Sequence, residues 1–154
     1  MTDKTEQGES FELDELEDFH LFKEVELESI QGILENCPLA TFQKDEVVLS
    51  AGEPNHSIHL LLSGQLRVQL ELSLQPIAKV EPGELVGEIS VVDGEPTTAY
   101  VVAEEDCRVL VLDESTLESL FETSSRIAHN LLYIVVQRLR RGDALIKALS
   151  LSGG

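Results

Sequence analysis

Apolar positions along the chain change their period twice, and the changes divide the sequence into three regions. Between residues 11 and 36 apolar side chains recur at helical spacing, which predicts helices that end before Cys37-Pro38. Between residues 37 and 113 short apolar runs alternate with turn residues. That pattern predicts at least six short strands, evenly spaced as in an antiparallel sandwich or barrel. From residue 114 to 149 the helical period returns.

Two runs in the middle region predict a β-hairpin. Residues 57–62 form one strand-like run, residues 66–72 form the next, and the link between them contains the turn pair Ser63-Gly64. The other predicted strands are residues 46–50, 75–80, 98–103 and 108–112.

The last region predicts two helices. Asp113 is placed to cap a helix through Phe121, with Ser115 and Glu118 as a capping box one turn later. A hydroxyl residue between positions 123 and 125 can cap the second helix, which Gly142-Asp143 could interrupt.

Apolar residues of the second helix are spaced alternately four and three apart, as in the seam of a coiled coil. The seam residues are Ala128, Leu132, Val135, Leu139, Gly142, Ile146 and Leu149, and a second apolar stripe contains Ile127, Leu131, Ile134 and Leu145. A helix that is apolar on two sides needs two surfaces to cover it. We expect one surface to be the sheet and the other the same helix of a second copy in a homodimer. The alternative is deeper burial within one subunit.

Composition is that of a single soluble domain with strong acidic excess. The 154 residues contain 29 acidic and 11 basic side chains, which give a formal net charge of −18. Binding to DNA or to an anionic membrane surface needs a basic patch, so neither is an expected partner. The longest apolar run, residues 131–136, is too short to cross a bilayer. The first residues lack the apolar core of a signal peptide, which predicts a cytoplasmic protein.

Charge is unevenly distributed along the chain. Residues 1–28 are strongly acidic, whereas the basic residues of the last region are Arg126, Arg138, Arg140, Arg141 and Lys147. Attraction between the two ends is one interpretation, and a solvated acidic tail at residues 1–10 is the other. Residues 150–154 read as a second short tail. Cys37 and Cys107 lack the spacing of metal ligands, which predicts two free, packed thiols.

One segment, PGELVGEISVVDGEPTTA at residues 82–99, carries candidate chemistry. Gly87 lets another molecule approach the backbone, and Glu88 begins a single helical turn in which the amides of Ile89 and Ser90 point outwards. After the Asp93-Gly94-Glu95-Pro96 turn, Thr98 and Ala99 present two more amides. The segment therefore predicts an anion site with one carboxylate that accepts a hydrogen bond from a ligand hydroxyl.

Six short motifs, four of them within this segment, occur in an order that resembles the cyclic nucleotide-binding domain family, over roughly residues 20–147. The motifs are Gly52-Glu53-Pro54, Ser63-Gly64, Gly83-Glu84, Gly87-Glu88-Ile89-Ser90, Asp93-Gly94-Glu95-Pro96 and Thr98-Ala99. The resemblance implies an eight-stranded antiparallel β-roll with N-terminal helices and a long C-terminal helix, a mainly β fold with flanking helices. It also implies that residues 83–99 form the phosphate-binding cassette.

Site roles follow from the same resemblance. It implies that Glu88 accepts from a ribose 2′-hydroxyl and that the amides of Ile89, Ser90, Thr98 and Ala99 face a cyclic phosphate. The last helix would cover the base near Arg138, Arg141 and Gly142-Asp143. The candidate ligand is cyclic AMP, cyclic GMP or another small anion, with no metal and no other cofactor.

The chain departs from the family pattern at Thr97, where relatives carry the arginine that pairs with the phosphate. Losing one member of a buried charge pair costs about 2–5 kcal/mol. Arg67, Lys79 or an arginine of the last helix is a candidate substitute. Two functions therefore stay open: a sensory or regulatory domain with weak or altered ligand affinity, and a scaffold that binds protein partners without nucleotide.

Other functional classes have less support. Carboxylates such as Glu81 and Glu95 are plentiful, but no nucleophile and base accompany them, so we expect no enzyme activity. His56 and His59 are an odd number of residues apart on a predicted strand and therefore face opposite sides. His20 and His129 are isolated, so we expect no metal site. The sequence ends at Gly154, and we expect no helix-turn-helix domain after the last helix.

Overall fold

The computed structural model of the protein describes residues 10–152. The acidic tail predicted at residues 1–10 therefore lies outside the described residues, except for Ser10. The N-terminal region consists of short helical segments rather than longer helices over residues 11–36. They are the 3₁₀ turns Leu13–Leu16, His20–Phe22 and Leu27–Ser29, and the helix α1, Gln31–Glu35.

The backbone turns between the two apolar series of residues 11–22 and 27–34, from which separate helices were predicted. Glu24 has a φ of 60°, which a right-handed helix cannot contain, so the chain turns there. The periodic residues are nevertheless used for packing, because Leu16, Leu21, Ile30 and Leu34 are fully buried.

Within residues 10–152, eight antiparallel strands form two four-stranded sheets, which confirms the β-roll. The first sheet has the order β1-β8-β3-β6 and contains Leu39–Phe42, Cys107–Asp113, Ser57–Ser63 and Leu85–Val86. The second sheet has the order β2-β7-β4-β5 and contains Val47–Leu49, Tyr100–Ala103, Leu66–Gln69 and Ala78–Val80.

The predicted hairpin of residues 57–62 and 66–72 is wrong. β3 pairs with β8 and β6, whereas β4 pairs with β7 and β5, so Ser63-Gly64 carries the chain from one sheet to the other. Gly64 has a φ of +92°, and a Cβ atom there would lie 2.4 Å from the carbonyl oxygen of Asp106. This close approach between the sheets requires glycine. β4 also ends earlier than predicted, at Gln69.

Side-chain alternation along the strands produces two apolar clusters. Residues from both sheets, including Leu61, Leu66 and Val109, pack together inside the roll. Alternate residues of the first sheet, such as Leu60 and Leu110, pack instead against the helical segments. The roll therefore has an inner core and a second core under the helices.

Two helices complete the fold after the cassette helix α2, Glu88–Asp93: α3, Glu114–Thr123, and α4, Ser125–Ser152. Asp113 caps α3, because its carboxylate accepts from the Thr116 amide at 2.8 Å. The Ser115–Glu118 capping box is wrong, since both residues lie inside α3. α4 runs through Gly142 without interruption.

The two apolar stripes of α4 differ in how deeply they are buried. Ile127 and Leu131 are buried in the helical core, and Ile134 packs against it. In the predicted seam, Ala128 is half-buried and Val135 packs against the core, while Leu132, Leu139 and Ile146 are exposed. The second stripe is thus packed against the helical core at Ile127, Leu131 and Ile134 but not at Leu145, which is 62% exposed, and the homodimer stays a prediction.

Candidate ligand-binding site

The turn before α2 positions the cassette against the roll. Gly87 has a φ of +88°, and a Cβ atom there would lie 2.6 Å from Asn55 Nδ2 and 2.8 Å from the Ser57 carbonyl oxygen. The Asn55 amide nitrogen donates to the carbonyls of Ser57, at 2.9 Å, and Gly87, at 3.1 Å. The glycine therefore allows β3 and the cassette to lie in direct contact.

A cavity of about 450 Å³ opens beside α2, between the roll and α4. All seven residues predicted to bind a ligand line it: Gly87, Glu88, Ile89, Ser90, Thr97, Thr98 and Ala99. The fold thus brings together the helix start and the strand start that the sequence indicated.

Several hydrogen-bond donors of the cassette have no acceptor within the described part of the chain. The backbone amides of Ile89, Ser90, Thr98 and Ala99 make no hydrogen bond to residues 10–152. Ser90 is only 5% exposed, and its hydroxyl has no partner among the same residues. Donors at a helix start and a strand start that face one cavity and lack an acceptor in the protein are suited to bind an anion.

Glu88 is buried, with 4% exposure, and forms an ion pair with Arg138 of α4. The second terminal nitrogen of Arg138 donates to the Leu85 carbonyl. The guanidinium offsets the charge of Glu88, so this carboxylate does not by itself oppose a bound anion. The second oxygen of the Glu88 carboxylate has no hydrogen-bond partner among the described residues.

Thr97 does not replace the missing cation. Its hydroxyl donates to the carbonyl of Ser50 and lies 3.2 Å from the carbonyl of Glu53. Its backbone bonds to the same turn, from the Thr97 amide to Glu53 at 3.0 Å and from the Gly52 amide to Thr97 at 2.8 Å. Thr97 therefore ties the cassette to the Gly52-Glu53-Pro54 turn, a structural role that the sequence did not reveal.

The cations that were candidates to replace the arginine missing at position 97 differ in whether they line the cavity and in whether they are already paired. Lys79 lines the cavity but lies 2.7 Å from a Glu104 carboxylate oxygen. Arg67 is not among the lining residues and bonds to Asp45 at 3.1 Å. Arg141 lines the cavity and has no ion pair among residues 10–152.

Two of the three residues predicted to lie on the base side border the cavity. Arg138 and Arg141 line the cavity, but Asp143 is exposed and does not. Because α4 continues without a break, Gly142 and Leu145 take the positions facing the cavity, and Asp143 is turned away.

The apolar walls of the cavity were not identified from the sequence as part of a site. They are formed by Leu49, Val68, Val86 and Val101 of the roll, Ile77, Ala78 and Val80 near β5, and Leu145 of α4. The strands that carry these residues were predicted except for β6, which carries Val86, and which face of each strand borders the cavity depends on how the two sheets pack.

Other candidate chemistry does not converge on a site. Among residues 10–152 no three His, Cys, Asp or Glu side chains are grouped to hold a metal ion. Cys37 and Cys107 are buried and free, as predicted. In the same part of the chain no helix has the length and apolarity needed to cross a membrane.

Comparison with known proteins agrees with this geometry. Residues 39–124 match the family model of the cyclic nucleotide-binding domain. A Thermus thermophilus cyclic AMP receptor protein is 30% identical over 112 residues, which are 71% of this chain and 52% of the relative. A cAMP-dependent protein kinase regulatory subunit of Colletotrichum orbiculare is 29% identical over 73 residues, 47% of this chain and 19% of that protein.

A solved structure shows the same fold. The catabolite activator protein of Thermus thermophilus superimposes with a TM-score of 0.76 at 28% identity, over 85% of this chain and 63% of that chain. This chain spans about half the length of the cyclic AMP receptor and regulator proteins that it matches.

Proposed function

Because the chain belongs to the cyclic nucleotide-binding domain family, we propose that it is a non-catalytic regulatory domain whose cavity binds a small ligand with one anionic group. The observation that carries the proposal is the cavity itself. Its wall presents four amides and the Ser90 hydroxyl, which have no acceptor among residues 10–152, beside Glu88. Such donors stabilise an anion without needing a net positive surface.

Affinity for cyclic nucleotides is low in this proposal. Thr97 supplies no charge, and its hydroxyl is engaged by the turn at residues 50–53. A lost buried charge partner costs about 2–5 kcal/mol, which corresponds to about 30-fold to several thousand-fold in affinity. The Arg138 guanidinium is already paired with the Glu88 carboxylate, so it does not fully replace an arginine that binds the phosphate.

Signalling in this proposal passes through α4. Arg138 connects α4 directly to Glu88, a residue of the cavity wall, so a ligand that binds Glu88 changes the contact that holds α4. The exposed stripe of Leu132, Leu139 and Ile146 then transmits the change to a second copy of the chain. Comparing dimerisation with and without saturating cyclic nucleotide tests this step, and the same dimerisation constant in both would contradict it.

Titration calorimetry with cyclic AMP and cyclic GMP tests the binding proposal. Thr97→Arg restores a forked cation to the cassette, so it should bind at least about tenfold more tightly than wild type. Thr97→Val is the matched control, because it also removes the hydroxyl bond to Ser50 but adds no charge. It should bind no better than wild type.

A scaffold without ligand is the second candidate function, and the exposed apolar stripe on α4 favours it. The same titration separates the two candidates. If neither wild type nor Thr97→Arg binds at millimolar concentration, the cavity is unused and the scaffold function replaces the proposal.

A further inference from the structure

The cations that line the cavity differ in whether the protein already pairs them. The Lys79 ammonium lies 2.7 Å from a carboxylate oxygen of Glu104, and Arg138 forms an ion pair with Glu88. Arg141 lines the same cavity and has no ion pair within the described part of the chain. Arg141 is therefore the lining cation whose charge is available to a ligand.

Arg141 follows, by three residues, an arginine that already reaches the cassette. Arg138 donates from α4 to the Glu88 carboxylate and to the Leu85 carbonyl. Side chains three residues apart lie on the same face of a helix, about 4.5 Å apart along its axis. Gly142 also lines the cavity, and a Cβ atom built there would meet nothing within 4 Å. The Arg141 side chain therefore has space in which to extend along the cavity.

Neutral donors on the cassette share this cavity with an acidic side chain. The amides of Ile89, Ser90, Thr98 and Ala99 have no acceptor among the described residues, and they carry no net charge. The Glu84 carboxylate lines the same cavity, so its charge opposes a bound anion. A cation in the cavity offsets this repulsion, and the forked guanidinium of an arginine can bond two oxygens of one anionic group.

From these positions we infer that Arg141 of α4 binds the anionic group of the ligand and partly replaces the arginine missing at position 97. The sequence resemblance implied a position near the base for Arg141, whereas this inference assigns it to the phosphate. Because Arg141 is exposed, water and salt screen its charge, so it compensates less than a buried cation would. This inference rests on the proposed function, because it names the residue that recognises the ligand's charge in the same cavity.

Titration calorimetry with cyclic AMP on the full chain tests the inference. Arg141→Gln removes the charge, keeps a good helix former and should bind cyclic AMP at least about threefold more weakly than wild type. Arg140→Gln is the matched control, because Arg140 is the adjacent exposed arginine of α4 and does not line the cavity. It should bind as wild type does. Arg141→Lys keeps the charge and should lose less affinity than Arg141→Gln.

Cyclic GMP separates a contact with the phosphate from a contact with the base. It carries the same cyclic phosphate as cyclic AMP on a different base. If Arg141 binds the phosphate, Arg141→Gln should weaken both nucleotides by the same factor, to within about twofold. If Arg141 binds the base instead, the two factors should differ by more than that.

The Thr97→Arg background serves the same test where wild-type affinity is too low to measure. In that background Arg141→Gln should bind cyclic AMP at least about twofold more weakly than Arg140→Gln.

The failure of this inference and the failure of the proposed function have different results. If Arg141→Gln binds cyclic AMP as tightly as Arg140→Gln, or weakens the two nucleotides unequally, this inference is wrong and the proposed function stands. If neither nucleotide binds at millimolar concentration to wild type or to Thr97→Arg, the proposed function fails, and this inference fails with it.

Discussion

Glu88 and Arg138 form the contact that matters most at the scale of single residues. The two residues lie 50 positions apart, and Glu88 is buried while Arg138 is only partly exposed. Such a pair depends on how α4 packs on the cassette, so the sequence alone could not assign it. It identified Glu88 as a ligand acceptor and Arg138 as a residue near the base, but not their mutual bond.

Breaking this pair should reduce stability. Arg138→Gln leaves Glu88 buried without its cation and should lower the free energy of unfolding by about 3 kcal/mol. The double variant Glu88→Gln/Arg138→Gln should lose less than Arg138→Gln alone, because no buried charge is left. Urea unfolding measures the free energy of unfolding of both variants. The control is Arg140→Gln, a substitution at an exposed arginine of α4. A double variant at least as unstable as Arg138→Gln would contradict the pair's role.

The two cysteines give a second prediction at this scale. Burial raises the pKa of the Cys37 thiol to about 11, and burial also raises the pKa of Cys107. Because a raised pKa keeps the reactive thiolate scarce at pH 8, both thiols should react slowly with Ellman's reagent in the native protein. Both should react quickly in denaturant. Rapid labelling of the native protein, or fewer than two thiols in denaturant, would contradict this.

At the scale of elements, the sequence was most informative where polar capping and turn residues act locally. Asp113 was correctly identified as the cap of α3, and four of the strands outside the predicted hairpin coincide with predicted runs. Turn residues alone could not say whether Ser63-Gly64 joins paired strands or crosses between sheets. Apolar spacing over residues 11–36 identified buried side chains but could not reveal that short 3₁₀ turns take the place of most of the predicted helices.

The cap of α3 makes a stability prediction. Asp113→Ala removes the acceptor for the Thr116 amide and should cost about 1 kcal/mol at pH 7. The hydrogen bond from Thr116 lowers the pKa of Asp113 in the folded protein. The stabilisation is therefore present above the unfolded-state pKa and is lost as pH falls through the lower folded-state pKa.

Thermal unfolding at several pH values checks this sign. The difference in melting temperature between wild type and Asp113→Ala should become smaller as the pH is lowered. Asp113→Asn is the matched control, because asparagine also caps helices and carries no titrating charge. A difference between wild type and Asp113→Ala that grows as pH falls would contradict the assignment.

At the scale of the whole molecule, the fold could be predicted from the family resemblance, and the order of strands in the two sheets could not. The cavity followed from the cassette motif. Its apolar walls depend on which faces of the two sheets meet. The role of Thr97 depends on a bond between segments 47 residues apart.

Assembly supplies a prediction at this scale. The α4 residue Leu139 is 63% exposed in the middle of the predicted seam, so Leu139→Glu should prevent dimerisation. Leu151→Glu, outside the seam, should not. Sedimentation velocity at about 100 µM protein measures the outcome. A monomeric wild-type protein under these conditions would contradict the predicted homodimer.

The central claim is that the amides of Ile89, Ser90, Thr98 and Ala99 receive a ligand anion. Titrating ¹⁵N-labelled protein with cyclic AMP, and following the amide NMR signals, tests this even when binding is weak. The account predicts saturable shifts that are largest at these four amides and absent at Leu151. Millimolar ligand that leaves all four signals in place would contradict it.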